Sequence, residues 1–240
     1  MKSNWIDFWD AKERMQGPFW DTYAAFFAEH VRAVIPFAHS DILLDLGCGN
    51  GKILSLLAPS VQAAYGLDTS PSLIKRCKSD YAHIQNMFFD TIPQQDYTNI
   101  SSLDLPPVNI IICSSILQYY ESPAHVKALL VDLKKIIAPN ALLLFADMLL
   151  DYNILRDLAG SLYGGIISGT LWYKIRGIHT LISKKYIDMR QKMPLLNLSH
   201  DEFYNICRQA GFEIRHIRYQ LTANSSRKNF ILQESCNKNK

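Results

Sequence analysis

The strongest chemical signal in the sequence is a glycine-rich loop with an acid before it, Asp45-Leu-Gly47-Cys-Gly49-Asn-Gly51. Glycines at alternate positions allow the backbone to turn sharply and to approach a ligand without a Cβ in the way. The carboxylate of Asp45 disfavours a phosphate group and suits a cationic ligand or an ammonium group. The loop therefore predicts a site for a positively charged ligand.

The glycine spacing also separates this loop from a dinucleotide-binding loop. Such loops read G-x-G-x-x-G and place a pyrophosphate at the N-terminus of the following helix. Here the third glycine comes one position early, at Gly51, and the next position is Lys52. The spacing disfavours an NAD(P)-dependent oxidoreductase, which we keep as an alternative function.

Two further acids follow the next two apolar segments of the chain. Asp68 lies 17 residues after Gly51, and Asp90 follows the third apolar segment. A carboxylate can accept two hydrogen bonds from a ribose diol. Because ligands of open α/β sheets bind at the carboxyl ends of the strands, we expect the three acids to surround one ligand.

The elements that position these residues alternate between apolar strands and helices. The predicted strands are 42–44, 63–67, 87–89, 108–113 and 141–145, and the predicted helices include 51–57, one that begins at Ser70-Pro71, and 123–137, which stops at Pro139-Asn140. This alternation implies a parallel, doubly wound α/β sheet with helices on both faces. Two final strands, 213–221 and 228–233, predict an antiparallel C-terminal hairpin and a mostly parallel sheet of seven strands.

The length of 240 residues suits one domain with a cap. We divide it into an aromatic-rich helical segment (1–39), a ligand-binding core (41–150), a helical lid insertion (151–198), and a terminal helix with the hairpin (199–240). The terminal helix is predicted to begin with a capping box at Ser199-His-Asp-Glu202.

Composition excludes several classes of protein. The net charge is only +3, so nothing global favours nucleic acid. The five cysteines are never spaced as C-x-x-C, which argues against a zinc site or a disulfide framework and suits the cytoplasm. We see neither a signal peptide nor a transmembrane segment, and we expect no metal.

With these motifs the chain resembles the class I (Rossmann-like) S-adenosylmethionine-dependent methyltransferases over about residues 41–147. The acid-x-G-x-G-x-G loop of that family matches at Asp45, Gly47, Gly49 and Gly51. The resemblance implies S-adenosylmethionine as cofactor and S-adenosylhomocysteine as product. A protein that binds the cofactor without transferring the methyl group is a further alternative.

The resemblance also implies which residues bind the cofactor. Gly47 and Gly49 would line its methionine moiety, Asp68 would bind both ribose hydroxyls, and Asp90 would sit at the adenine amino group. The complete predicted set is Asp45, Gly47, Cys48, Gly49, Gly51, Asp68, Thr69, Asp90, Thr91, Cys113 and Ser114.

Transfer of an activated methyl group is an in-line displacement that depends mostly on positioning and desolvation. A base is needed only if the acceptor must lose a proton. Our catalytic candidates on the acceptor side are Tyr23, Tyr119 and Asp147, with Tyr120 beside them. We expect a small-molecule acceptor, with O-methylation slightly ahead of N- or C-methylation.

The lid insertion carries many basic residues among apolar ones. They are Lys174, Arg176, Lys184, Lys185, Arg190 and Lys192, against the single acid Asp188. Three interpretations fit this pattern. The basic residues could form solvated helix faces, the insertion could cover an anionic or lipophilic acceptor, or residues 160–192 could contact a membrane surface. The sequence leaves these alternatives, and the oligomeric state, open.

Overall fold

A seven-stranded sheet forms the centre of the computed structural model, which describes Trp5, residues 17–173, Ile175 and residues 191–235. The strands are β1 (Ile42–Leu46), β2 (Ala63–Asp68), β3 (Met87–Thr91), β4 (Val108–Ser114), β5 (Ile137–Met148), β6 (Phe212–Ile217) and β7 (Lys228–Glu234). The helices are α1 (Pro18–Arg32), α2 (Lys52–Leu57), α3 (Pro71–Asp80), α4 (Pro123–Leu133), α5 (Ile154–Ile167) and α6 (His200–Gln209).

The strand order is β3-β2-β1-β4-β5-β7-β6. The first five strands pair in parallel, and β7 pairs antiparallel with both β5 and β6. The predicted mostly parallel sheet with an antiparallel C-terminal hairpin is therefore confirmed. Chain order reverses between β1 and β4, so the segments that follow these two strands flank one crevice, where such sheets bind ligands.

Apolar residues on both faces of the sheet explain the nearly continuous hydrophobic strands. One buried cluster joins Leu44 and Phe145 to Leu129 of α4 and Phe203 of α6. The other cluster packs the opposite face of the sheet against α1, α2 and α3. Helices thus cover both faces, as predicted.

Local signals located the starts of two helices correctly. The Ser70 hydroxyl accepts a hydrogen bond from the Leu73 N–H at the start of α3. The capping box of α6 is present, with reciprocal bonds between Ser199 and Glu202. Both patterns depend on residues three apart, so sequence alone identifies them.

The predicted end of α4 and the predicted start of β5 were wrong. The helix ends at Leu133, and Pro139 lies inside β5, which begins at Ile137. Proline lacks an N–H for the ladder, and the register shifts here between Val108 and Ile110. The irregularity accommodates the proline, which sequence reasoning took as a stop signal.

The predicted strand 213–221 ends four residues early, at Ile217. The chain then leaves the sheet, and Thr222 turns to donate a hydrogen bond to Asp147. A tertiary contact therefore ends this strand.

Part of the lid prediction lies outside the described residues. The structure describes α5 and residues 168–173, but not Lys174, Arg176, Lys184, Lys185 and Arg190. Among the described residues, no helix combines the length and the apolar character that a bilayer crossing requires.

Candidate active site

The glycine-rich loop turns back on the end of β2 directly after β1. The N–H groups of Gly47 and Cys48 both donate to the Leu67 carbonyl, at 2.7 and 2.9 Å, and the Gly51 N–H donates to the Cys48 carbonyl. Gly47 has a φ of +78°, in the left-handed region that favours glycine. The loop thus satisfies its own amides and leaves few donors for a phosphate.

Asp68, at the end of β2, is held against this loop by two backbone bonds. One carboxylate oxygen accepts the Gly49 N–H at 2.9 Å, and the other accepts the Ser70 N–H at 2.9 Å. These bonds fix the orientation of the carboxylate. The sequence placed Asp68 at a strand end, and the structure brings it against the second glycine of the loop.

Asp45 is a buried acid beside the same loop, with 4% of its surface exposed. Burial and, to a smaller extent, the charge of Asp68 together raise the pKa of its carboxyl to about 7. Two neighbouring carboxylates destabilise each other unless a proton or a cation lies between them. The arrangement therefore fits a positively charged ligand.

We expect the elevated pKa of Asp45 to make the protein less stable as the pH rises. The carboxyl keeps its proton to about pH 7 in the folded state, whereas an unfolded aspartate releases it near pH ~3.9. Between these values the folded state binds more protons, so the free energy of unfolding falls by about 2 kcal/mol from pH ~5 to ~7. Thermal unfolding across this range should show the decrease in the wild type and a smaller one in Asp45→Asn. Identical pH profiles for the two proteins would contradict the prediction.

The remaining predicted ligand residues lie along the same edge of the sheet. Asp68, the candidate for ribose binding, pairs with Thr91 across β2 and β3. Asp90 therefore lies one position before the residue opposite Asp68. Asp90 is exposed and accepts the Thr91 N–H at 2.8 Å. The Thr69 carbonyl accepts a bond from the Gln94 side chain at 3.2 Å.

The two predicted cysteines are buried thiols. A hydrogen bond to Cys77, burial, and the charges of Asp68 and Asp45 all raise the pKa of Cys48. Burial and the charge of Asp45 raise the pKa of Cys113, whose side chain packs in the core. Both thiols stay protonated at neutral pH, so any contribution of Cys113 to a ligand would come from its backbone.

A second polar cluster forms where β4 and β5 end. The Ser115 hydroxyl donates to one oxygen of Asp147, and the Thr222 hydroxyl donates to the other at 3.0 Å. Ser115 and Asp147 have φ values of +60° and +57°, which are uncommon for residues other than glycine. Backbone strain of this kind persists where the surroundings over-determine it, often at functional sites.

Tyr23 reaches this cluster from α1. Burial raises the pKa of its phenol strongly, and the charge of Asp147 adds to the effect, while hydrogen-bonding groups of Ser114 and Ser115 act in the opposite direction. The phenol is therefore a neutral donor at physiological pH. An ion pair between Asp21 and Lys52 ties α1 to the helix that follows the glycine loop.

The guanidinium of Arg227 interacts with Asp147 and also with Tyr119, the remaining catalytic candidate. Burial lowers the pKa of its guanidinium, but the charges of Asp147 and Asp157 raise it by more, and Tyr119 contributes in the same direction. Tyr23 and Asp147 thus lie in one cluster, whereas Tyr119 packs its ring 5.0 Å from that of Trp5 and interacts with the cluster through Arg227. Sequence reasoning missed Thr222 and Arg227, because only the fold carries the segment before β7 to the end of β5.

The glycine loop packs against the segment that carries Ser115 of the polar cluster. A Cβ on Gly47 would lie 2.4 Å from Cγ2 of Ile116, the residue that follows Ser115. The glycine loop and the segment after β4 therefore line the same crevice.

This contact predicts a specific cost for Gly47→Ala. The new Cβ would collide with Ile116, and the alanine would also have to keep the positive φ. We therefore expect a loss of about 3 kcal/mol or more in the free energy of unfolding. The matched control is Gly169→Ala, where φ is +68° and no atom of the described residues lies within 4 Å of the new Cβ. Chemical denaturation should show about 1 kcal/mol for the control, and equal losses would exclude the steric explanation.

Comparisons with known proteins agree with this geometry. The model of a methyltransferase-domain family matches residues 19–217. An uncharacterized methyltransferase of Schizosaccharomyces pombe is 19% identical over 212 residues, which cover 88% of this chain and 73% of that protein.

Two solved structures share the fold at low identity. One is a Haloferax volcanii putative methyltransferase in complex with the activator Trm112, with a TM-score of 0.63, 16% identity, and coverage of 97% and 98% of the two chains. The other is phosphoethanolamine N-methyltransferase 1 of Haemonchus contortus, with a TM-score of 0.65, 12% identity, and coverage of 97% of this chain and 49% of that one.

Proposed function

The chain belongs to the class I S-adenosylmethionine-dependent methyltransferases, and on this premise we propose that it methylates an oxygen of a small-molecule acceptor. The observation that carries the proposal is the polar cluster of Tyr23, Ser115 and Asp147, next to the glycine loop. The two hydroxyl donors fix the orientation of the Asp147 carboxylate, and a positioned carboxylate can take the proton of an acceptor hydroxyl. A neutral amine acceptor has no such requirement before it attacks.

The residues of the loop fit the cofactor. Two neighbouring carboxylates, Asp45 and Asp68, complement a cation, and the loop amides are already bonded within the protein. The same features do not fit the pyrophosphate of a dinucleotide, which needs donors and no adjacent negative charge. Bound S-adenosylmethionine supplies a methyl group that its sulfonium already activates.

Each group of residues then has a defined task. Asp45, Gly47 and Gly49 hold the methionine end of the cofactor, Asp68 holds the ribose, and Asp90 with Thr91 lies at the adenine. On the acceptor side, Asp147 accepts the proton of the acceptor hydroxyl, and the neutral Tyr23 phenol orients the acceptor oxygen by donating a hydrogen bond. Burial of the Tyr23 phenol helps to exclude water from the reacting atoms.

Turnover with S-adenosylmethionine and matched acceptor panels tests this proposal. One panel holds phenols, sugars and hydroxy acids, and the other holds the corresponding amines, with mass spectrometry of the products as readout. We expect methylation within the hydroxyl panel. Methylation of amines alone would overturn the choice of oxygen, and cofactor binding without any turnover would favour a non-catalytic binding protein. In a thermal-shift assay, stabilisation by NADH alone would revive the oxidoreductase alternative.

A further inference from the structure

Helix α5 presents its apolar side to solvent. Leu155, Leu158, Leu162 and Ile166 are 74%, 48%, 45% and 65% exposed. Their spacing of three, four and four residues places them in one row along the helix, which we call the α5 stripe. An exposed row of large apolar side chains marks an interaction surface.

The inward side of α5 is the polar side and is held tightly. Asp157 accepts hydrogen bonds from Asn224 and Ser226 at 2.9 and 3.0 Å, and it pairs with Arg227 at 2.9 Å. A Cβ on Gly164 would lie 2.4 Å from the Ala223 carbonyl oxygen. These contacts fix the rotation of α5, so the helix cannot turn to bury the α5 stripe.

The sequence of α5 and of the segment that follows it is mostly basic in its charges. Asp157 is the only carboxylate in the sequence between Tyr152 and Ile175, and Arg227 neutralises it. Trp172 follows the helix and is 64% exposed. The sequence from 174 to 192 then carries six lysines and arginines against one acid.

We propose that α5 docks on the surface of an anionic lipid bilayer, with the α5 stripe at the level of the upper acyl chains. An apolar helix face, a tryptophan beside it and a basic stretch are the composition of helices that lie in such an interface. The positive charge of the sequence that follows α5 complements an anionic bilayer, and does not complement a second copy of the same chain. The proposal is independent of which acceptor is methylated.

Sedimentation of the full-length protein with vesicles tests this docking. One set of vesicles is phosphatidylcholine alone, and the other also contains phosphatidylglycerol. We expect binding to the anionic vesicles that weakens with added salt. The variant Leu158→Glu/Leu162→Glu should bind at least tenfold less, and Lys184→Gln/Lys185→Gln should lose part of the preference for anionic lipid.

The matched control is Phe88→Glu/Val131→Glu, because these two side chains are 46% and 45% exposed elsewhere on the protein. It should bind vesicles like the wild type. Each variant is also checked for its Tm and for binding of S-adenosylhomocysteine, which separates lost docking from lost folding or a failed cofactor site.

Three results would overturn the docking proposal. One is the absence of vesicle binding, or equal binding by the stripe variant and the wild type. Another is a dimer in light scattering that the stripe variant dissociates, which would assign the α5 stripe to a second copy. The last is a fall in Tm for the stripe variant alone, which would show that the chain itself covers the stripe.

Discussion

Replacing Asp68 with alanine is expected to lower the affinity for S-adenosylhomocysteine by about 100-fold or more in isothermal titration calorimetry. Hydrogen bonds to a charged acceptor contribute about 1.5–3 kcal/mol each, and tenfold in affinity corresponds to ~1.4 kcal/mol. The variant removes the acceptor that we assign to the ribose. It also removes the partner of the Gly49 and Ser70 N–H groups, so the loop loses its anchor.

Two control variants separate the ribose contact from loop support. Asp68→Asn keeps the size of the side chain and one of the two acceptors, so we expect both its affinity and its Tm to lie between those of the wild type and of Asp68→Ala. Asp104→Ala removes an exposed carboxylate outside the proposed site and should bind like the wild type. Wild-type affinity in Asp68→Ala would remove this residue from the cofactor site.

The second large effect is expected for Asp147→Asn, which should lower kcat with a hydroxyl acceptor by about 100- to 1000-fold. Proton transfer to a positioned side chain contributes rate enhancements of this order. Asparagine accepts one of the two hydroxyl donors, can donate to the other hydroxyl through its NH2 group, and tolerates the left-handed backbone, but it cannot take a proton. The affinity for S-adenosylhomocysteine should stay within about twofold, because Asp147 lies on the acceptor side.

Asp151→Asn is the matched control for this variant. Asp151 lies three residues after the end of β5 and, like Asp147, has a positive φ, of +46°, but its carboxylate bonds to His200 instead. It should leave kcat unchanged. Equal losses in the two variants, or a loss of cofactor affinity in Asp147→Asn, would assign Asp147 a structural role.

A companion measurement addresses Tyr23. Removal of its hydroxyl in Tyr23→Phe keeps the ring that packs at 6.3 Å from that of Phe27. If the phenol only orients the acceptor, Tyr23→Phe should lower kcat by about tenfold, which is the effect of one lost hydrogen bond. This loss is smaller than the one expected for Asp147→Asn.

Local chemistry allowed much of this protein to be predicted from sequence. The glycine loop, the acids at successive strand ends and the helix caps each depend on residues a few positions apart, so spacing alone identifies them. The apolar strands separated by helices likewise predicted the doubly wound sheet. The left-handed φ of Gly47 and the contact of Asp68 with the loop agree with the sharp turn and the nearby acids that the loop spacing predicted.

Only the tertiary structure decided how the acceptor side is built. Thr222 and Arg227 lie about 75 residues beyond Asp147 in sequence, and they reach it because β7 inserts between β5 and β6. Pairing of Ile137 with Val108 of β4 placed Pro139 within β5, and the contact of Thr222 with Asp147 follows the end of β6 at Ile217. At such positions, sheet pairing and the charge network of Asp147, Asp157 and Arg227 outweigh local propensity. No pattern of neighbouring residues therefore predicts these contacts.

The orientation of α5 follows the same rule. Its sequence is apolar almost throughout, and nothing local indicates which side faces inward. The bonds of Asp157 to Asn224, Ser226 and Arg227 decide it, because a half-buried carboxylate needs partners and the segment before β7 supplies them. The sequence alone determined the cofactor loop and the sheet that carries it, whereas long-range polar contacts decided the acceptor cluster and left the α5 stripe exposed.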